Sequence, residues 1–92
     1  MEMRFDSEVE FRKFADRQRR EYGRIQVRVI ENLLVGKFFV HLSRWSKDFP
    51  GGGWDRSGYF VTESRDVAMS LLKLEREQPP PYNQGGSRGG PK

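Results

Sequence analysis

At Arg24 the hydrophobic period of this chain changes. In residues 7–22 the large apolar side chains recur at helical spacing, and from Ile25 to Thr62 they mostly alternate with polar ones. A 3.6-residue period lines one stripe of a helix, whereas a two-residue period sends neighbouring side chains to opposite faces of a strand. A chain carrying both puts its core where the helix stripe meets one face of a sheet. The other sheet face is then left free of that helix.

The helical stretch has its own start and stop. Ser7 followed by Glu10 has the spacing of a capping box. Phe11, Phe14, Ala15, Gln18 and Tyr22 fall on one stripe, charges surround it, and Phe5 stands where it can pack back on the stripe. Gly23 marks the end. A strand over 8–14, with Val9, Phe11 and Lys13 on one side, is the competing reading.

The alternating stretch reads as an antiparallel meander. Ile25, Val27 and Val29 alternate with Gln26, Arg28 and Ile30, Glu31 and Asn32 make a turn or bulge, and Gly36 is a second break. In 37–45, Phe38, Val40 and Leu42 share one face, while Lys37, Phe39, His41, Ser43 and Trp45 share the other. Residues 46–53 hold Pro50 and three consecutive glycines, which predicts a loose loop, and 54–62 form the third strand. A fourth strand arises if the first is broken at a kink. Thr62 or Ser64 then caps a second helix, with Val67, Ala68, Leu71, Leu72 and Glu75 on its apolar side and Leu74 beside them. The three prolines at 79–81 stop it.

The expected fold is therefore α+β: an N-terminal helix, a curved antiparallel sheet of three to four strands and a C-terminal amphipathic helix. Residues 1–23 read as a helical N-terminal extension, 24–78 as the core domain and 79–92 as a Pro/Gly-rich tail.

Composition narrows the function. The 92 residues allow one small domain, and with 35% hydrophobic and 33% charged residues its core is thin, so oligomerisation is expected. The absence of cysteine excludes disulfides, thiolate metal sites and a Cys nucleophile, and a single histidine excludes a multi-His metal cage. The longest apolar run, Leu33, Leu34 and Val35, is too short to cross a membrane, and no signal-peptide segment follows Met1, so the chain reads as soluble and intracellular. The net charge of +4 is spread along the chain rather than pooled in a tail, so a basic surface has to be assembled by the fold. Aromatics make up 13% of the residues, more than a thin core needs, and together with the basic balance they point to nucleic acid.

Two places carry that chemistry. Phe39, His41 and Trp45 share the polar face of the second strand with Lys37, and Arg28 lies on the same face of its neighbour. Bases stack on aromatic faces while Lys and Arg neutralise phosphates, and this requires the two kinds of side chain interleaved on one side of a sheet. A second packing layer on those aromatics is the alternative. The hairpin from Arg44 to Arg56 is the other place, with Arg44, Trp45, Lys47, Trp54 and Arg56 around a Gly-rich bend. No Gly-Lys-Ser/Thr follows those glycines, so they are not a P-loop. Catalysis finds no support: His41 has no Ser or Asp partner at a known spacing, and Asp48 and Asp55 lack a calcium-loop pattern. No enzyme activity, metal or cofactor is expected. In the tail, Pro79 to Tyr82 match a proline-rich ligand and 87–90 form one Arg-Gly-Gly unit, or the whole is a helix stop and a flexible end.

In the order of these segments the chain resembles the positive cofactor four type of transcriptional coactivator, a family of small dimeric single-stranded-DNA-binding domains. The resemblance runs from Tyr22 to Leu74 and rests on YGRIQVRVIEN, GKFFVHLSRW, GWDRSGYFV and the final amphipathic helix. Purine-rich-element-binding domains share a similar strand-strand-strand-helix unit. The resemblance implies sequence-nonspecific single-stranded DNA binding by a homodimer, acting in transcription, replication or recombination, with other proteins of those processes as possible partners. It assigns nucleic-acid contacts to Arg24, Lys37, Trp45, Trp54 and Arg56. With Arg28, Phe39, Arg44 and Lys47 from the face and hairpin these are the expected contact residues, of which Arg28, Lys37, Arg44 and Arg56 are expected to gather with the aromatics on one side of the sheet. It also joins the dimer through the helix, at Val67, Leu71, Leu72 and Leu74. Ser43 stands where the family has Arg and Ser57 where it has Lys, which shifts the expected contact to Arg44 and Arg56. A protein-interaction adaptor, its sheet face covered by the N-terminal helix, is the alternative function, and a purine-rich-element-type DNA- or RNA-binding module is another.

Overall fold

The computed structural model describes residues 2–76. Its first element is a three-residue strand, β1 (Met3–Phe5), too short for any period to reveal it. Helix α1 follows over Glu8–Tyr22, and the Ser7 hydroxyl accepts from the Glu10 N–H at 3.3 Å. The Glu10 carboxylate turns to Lys13, 3.7 Å away, so only half of the capping box forms. Gly23 closes the helix at φ +82°, where a side chain would be strained, and its N–H donates to the Arg19 carbonyl at 2.7 Å.

Three long strands follow: β2 (Ile25–Asn32), β3 (Lys37–Ser46) and β4 (Gly53–Thr62). No kink interrupts β2, and the turn expected at Glu31 and Asn32 lies at 33–36, closed by the Gly36 N–H on the Asn32 carbonyl at 2.9 Å. Helix α2 (Arg65–Leu71) is capped by Ser64 and tightens into a 3-10 turn over Leu72–Glu75.

The sheet order is β1-β4-β3-β2. The meander β2–β3–β4 is antiparallel as expected, but β1 pairs parallel with β4, so the open sheet is mixed rather than all antiparallel. The reason lies in α1. It carries the chain back along the sheet, so that β2 sets out in the same direction as β1. The fourth strand is thus β1, not a fragment of a broken β2.

Both helices lie on one face. Phe11, Phe14 and Ala15 of α1, Ile25, Val27, Val40, Leu42 and Phe60 of the sheet, and Ala68, Leu71 and Leu74 form a single buried cluster. Phe5 packs on it, its ring centroid 4.7 Å from that of Phe14. Residues 5–15 therefore contribute to the same core as the strands. Gln18 is buried with the stripe, and so is Arg19, only 8% exposed, whose Nη2 has no partner among the described residues. The sequence had placed Arg19 among the solvated charges.

The edge of β2 carries a guard. The Glu75 carboxylate accepts from the outward Val27 N–H at 2.7 Å, which satisfies a donor that an edge strand otherwise presents to other chains. The apolar side of α2 faces inward: Leu71 and Leu74 are buried in the chain's own core, and Val67 and Leu72 are half-buried against it. Of the four side chains expected at a dimer seam, two are thus enclosed in the chain's own core and two lie at its margin. The proline run and both tail motifs lie outside the described residues. No described helix is long and apolar enough to cross a membrane.

Candidate nucleic-acid interface

The strand register sorts the helix-free face into rows. Arg28 of β2, His41 of β3, Tyr59 of β4 and Arg4 of β1 stand side by side across the whole sheet. The next row in one direction is Ile30, Phe39 and Val61, and beyond it Lys37 stands opposite Asn32. In the other direction come Gln26, Ser43 and Arg56, then the pair Trp45 and Trp54. Successive rows are two residues apart, about 6.8 Å along the strands.

A β-bulge makes this sorting possible. Leu42 pairs with Gly58 and Ser43 with Arg56, so Ser57 is an extra residue in β4. Its side chain is buried, and its hydroxyl donates to the Leu42 carbonyl at 3.4 Å. Without that insertion Trp54 and Arg56 share the face of Gly58 and Phe60; with it they join Tyr59 on the helix-free side. Ser57, where the resembled family has Lys, is thus an inward-turned bulge residue and not a surface position.

Aromatic groups occupy two stretches of this face. At one end the Trp45 and Trp54 rings meet edge to face with centroids 5.3 Å apart, and the Arg24 guanidinium lies 4.9 Å from the first ring and 5.5 Å from the second. In the other half, Tyr59 lies 5.7 Å from His41 and 6.3 Å from Phe39, with tilted ring planes. Between the two stretches runs the polar row of Gln26, Ser43 and Arg56. One carboxylate enters it: Glu2 reaches His41 Nδ1 at 3.2 Å and Arg56 Nη1 at 3.9 Å. Arg4, paired with Asp6 at 3.1 Å, is held above its usual pKa by that hydrogen bond and charge.

Of the nine expected contact residues, Arg24, Arg28, Lys37, Phe39, Trp45, Trp54 and Arg56 share this face. Arg44 does not, which corrects the expectation that it joins them. It projects to the helix side, donates to Asp55 at 3.2 Å and to Gln18 at 3.3 Å, and lies 4.4 Å over the Tyr22 ring. Lys47 sits beyond the end of the sheet, where with Glu21, Tyr22, Trp45, Ser46 and Asp48 it lines an open cavity of about 320 Å³. Tyr59, Arg4, His41 and Glu2 belong to the face without having been among the expected contacts. The alternation had signalled His41, but β1, which delivers Arg4 and Glu2, had left no trace in the sequence.

The N-terminal helix does not cover these aromatics, since α1 packs on the opposite face. Its acidic residues are engaged locally as well: Glu8 with Arg12 at 2.9 Å and Asp16 with Arg20 at 2.9 Å. Among the described residues no group of three or more His, Cys, Asp or Glu side chains stands close enough to hold a metal ion. The chain matches no family model, no curated protein and no solved structure.

Proposed function

We propose that the helix-free face binds single-stranded DNA without sequence preference and without catalysis. The observation that carries this reading is the interleaving of Phe39, Tyr59, Trp45 and Trp54 with Arg24, Arg28, Lys37 and Arg56 on one face that no described helix covers. Aromatic platforms accept any base by its π-face, and cations at intervals between them neutralise the phosphates. β3 is paired on both edges, with β2 and with β4, so in the middle of the face bases are met by side chains. A homodimer, implied by the family resemblance, would double the face and belongs to the same proposal, as does a role in transcription, replication or recombination.

Titration of tryptophan fluorescence with a dT oligonucleotide of about 20 nucleotides tests the reading, that length covering one or two binding sites. Quenching is expected at low salt. If Arg24, Arg28, Lys37 and Arg56 each neutralise one phosphate, log affinity falls with log salt at a slope of about −3, from about −0.7 per phosphate. Absence of quenching at low salt ends the proposal. Size-exclusion mass with and without the oligonucleotide reads the dimer.

A second reading rests on a different observation. Leu33, Leu34 and Val35 at the β2–β3 turn are 81%, 97% and 55% exposed, an apolar knob of the kind that protein-interaction modules display. Under that reading dT binding is absent, and replacing Leu33 and Leu34 by Ser abolishes capture of a protein partner.

A further inference from the structure

We infer that Glu2 occupies a phosphate seat in the middle of the helix-free face, formed by His41 and Arg56, and that an incoming strand displaces it. The inference rests on the single-strand reading and deepens it by placing one phosphate.

Three observations carry it. First, the seat lies between the two aromatic stretches. Arg56 is in the polar row beside Trp45 and Trp54, and His41 is in the next row beside Tyr59 and Phe39. A strand with bases stacked on both stretches must run its backbone across this belt. Second, the groups are donors aimed at one anion. A carboxylate can only accept, so His41 Nδ1 carries the proton it shares with Glu2 Oε2 at 3.2 Å, while Arg56 Nη1 faces the other oxygen, Oε1, at 3.9 Å. One hydrogen-bond donor and one nearby cation, each set against a different oxygen of the same carboxylate, can meet two oxygens of a phosphate in the same way. Third, the occupant is anchored by a short element. Glu2 precedes the short edge strand β1, whose ladder begins at Met3. Its side chain is 27% exposed and half-buried against His41, but Arg56 is 60% exposed, so the Arg56 pair contributes little and is screened by salt. The His41 side chain, by contrast, is 17% exposed and packed against Tyr59, so the seat stays when its occupant leaves.

Glu2 thus acts as an internal competitor. It neutralises the belt in the free protein and raises the threshold for weak anions. Lys37, at the far end of β3, and Arg28, directly opposite His41, supply the surrounding positive field.

The test compares the full chain with its Glu2→Gln variant, which keeps the size of the side chain and removes its charge. Two probes are used: the dT oligonucleotide, followed by tryptophan quenching, and inorganic phosphate, followed by the His41 ring signals in NMR. Glu2→Gln is expected to bind the oligonucleotide about 2- to 5-fold more tightly, the range that loss of one exposed ion pair allows. Its salt slope is expected to match that of the wild type, because Arg56 meets a phosphate in both proteins once Glu2 is displaced. Phosphate is expected to shift the His41 signals in the variant at concentrations that leave the wild type unchanged, and Arg56→Gln in that background to remove the response. Equal oligonucleotide binding by both proteins, with His41 insensitive to phosphate, overturns the seat and leaves the single-strand reading standing. A His41 response to phosphate in Glu2→Gln, with no oligonucleotide binding by either protein, upholds the seat and ends that reading. No response to either probe ends both.

Discussion

Trp45 and Trp54 stand directly opposite each other on β3 and β4, their rings crossed at 78° with centroids 5.3 Å apart. Arg24 closes over both rings, and Gly52, at φ +82°, leaves the space into which the Trp45 ring extends: a methyl there runs into its benzo edge. The pair is therefore held from the hairpin as well as from the sheet. It presents Trp54, 37% exposed, as the outer surface of one end of the face.

Trp54→Ala separates stacking from folding. In the folded protein the pair is worth about 0.5–1.5 kcal/mol beyond its buried area, so the thermal midpoint is expected to fall by roughly 2–12 °C from that contact while the chain stays folded. Oligonucleotide affinity is expected to fall roughly 5- to 150-fold, the equivalent of about 1–3 kcal/mol for one stacked base. Calorimetry and anisotropy of a labelled dT strand read the two effects. An unfolded variant, or an affinity that does not change, removes Trp54 from the proposed contact.

Gly58 sits where three elements converge. A Cβ at this position meets Phe14 Cε2 at 2.9 Å, the Met3 carbonyl oxygen at 3.0 Å and Phe5 Cε2 at 3.1 Å. The rings can give way, but the carbonyl belongs to the β1–β4 pairing and cannot move without opening it. Gly58→Ala is expected to destabilise by about 1–3 kcal/mol in urea unfolding, as overpacked sites do. Phe5→Leu added to it recovers part of the loss and not all, because the clash with Met3 remains. Full stability in the single variant contradicts the tight seating of β1 on β4.

The period change at Arg24 made most of the architecture legible. Caps at Ser7 and Ser64, the glycine stop at Gly23, and the inward Val40 and Leu42 with outward Phe39 and His41 all follow from spacing, because those residues are placed by local geometry. Two features did not follow. Strand β1 has three residues, and its pairing with β4 is decided by α1 packing across some fifty intervening positions. The Ser57 bulge has no sequence mark, yet it decides on which face Trp54 and Arg56 emerge. The face of Arg44 was legible: the alternation that sends Val40 and Leu42 inward sends Arg44 with them, whereas its place in the hairpin and the resembled family's Arg at the position of Ser43 argued for the other side. The inward face of α2 reflects a thin core that takes up Leu71 and Leu74 for itself.

Two leucines of similar chemistry differ in what they hold. Leu42 is 0% exposed in the centre of the core, and Leu34 at the β2–β3 turn is 97% exposed. Leu42→Ala is expected to lose about 2–5 kcal/mol, a large part of the roughly 5–15 kcal/mol of a small domain. Leu34→Ser is expected to stay within about 0.5 kcal/mol of the wild type. Denaturant midpoints compare the two. A comparable loss from Leu34→Ser shows that the turn packs on something in solution, and dependence of that loss on protein concentration identifies a second copy.

Arg44 and Arg28 provide the sharpest contrast, since both are strand arginines on opposite faces. Arg44 holds Asp55 and Gln18 and covers Tyr22 on the helix side, whereas Arg28 is exposed beside His41 on the helix-free side. Arg44→Gln removes a half-exposed pair and a cation–π contact, so a loss of about 1 kcal/mol in stability is expected. Its oligonucleotide affinity and salt slope are expected to match the wild type. Arg28→Gln is expected to leave the unfolding midpoint in place and flatten the slope by about 0.7, one phosphate fewer. Affinity measured at four or more salt concentrations for the three proteins decides the matter. If Arg44→Gln flattens the slope and Arg28→Gln does not, the strand runs on the helix side and the helix-free face is not its site.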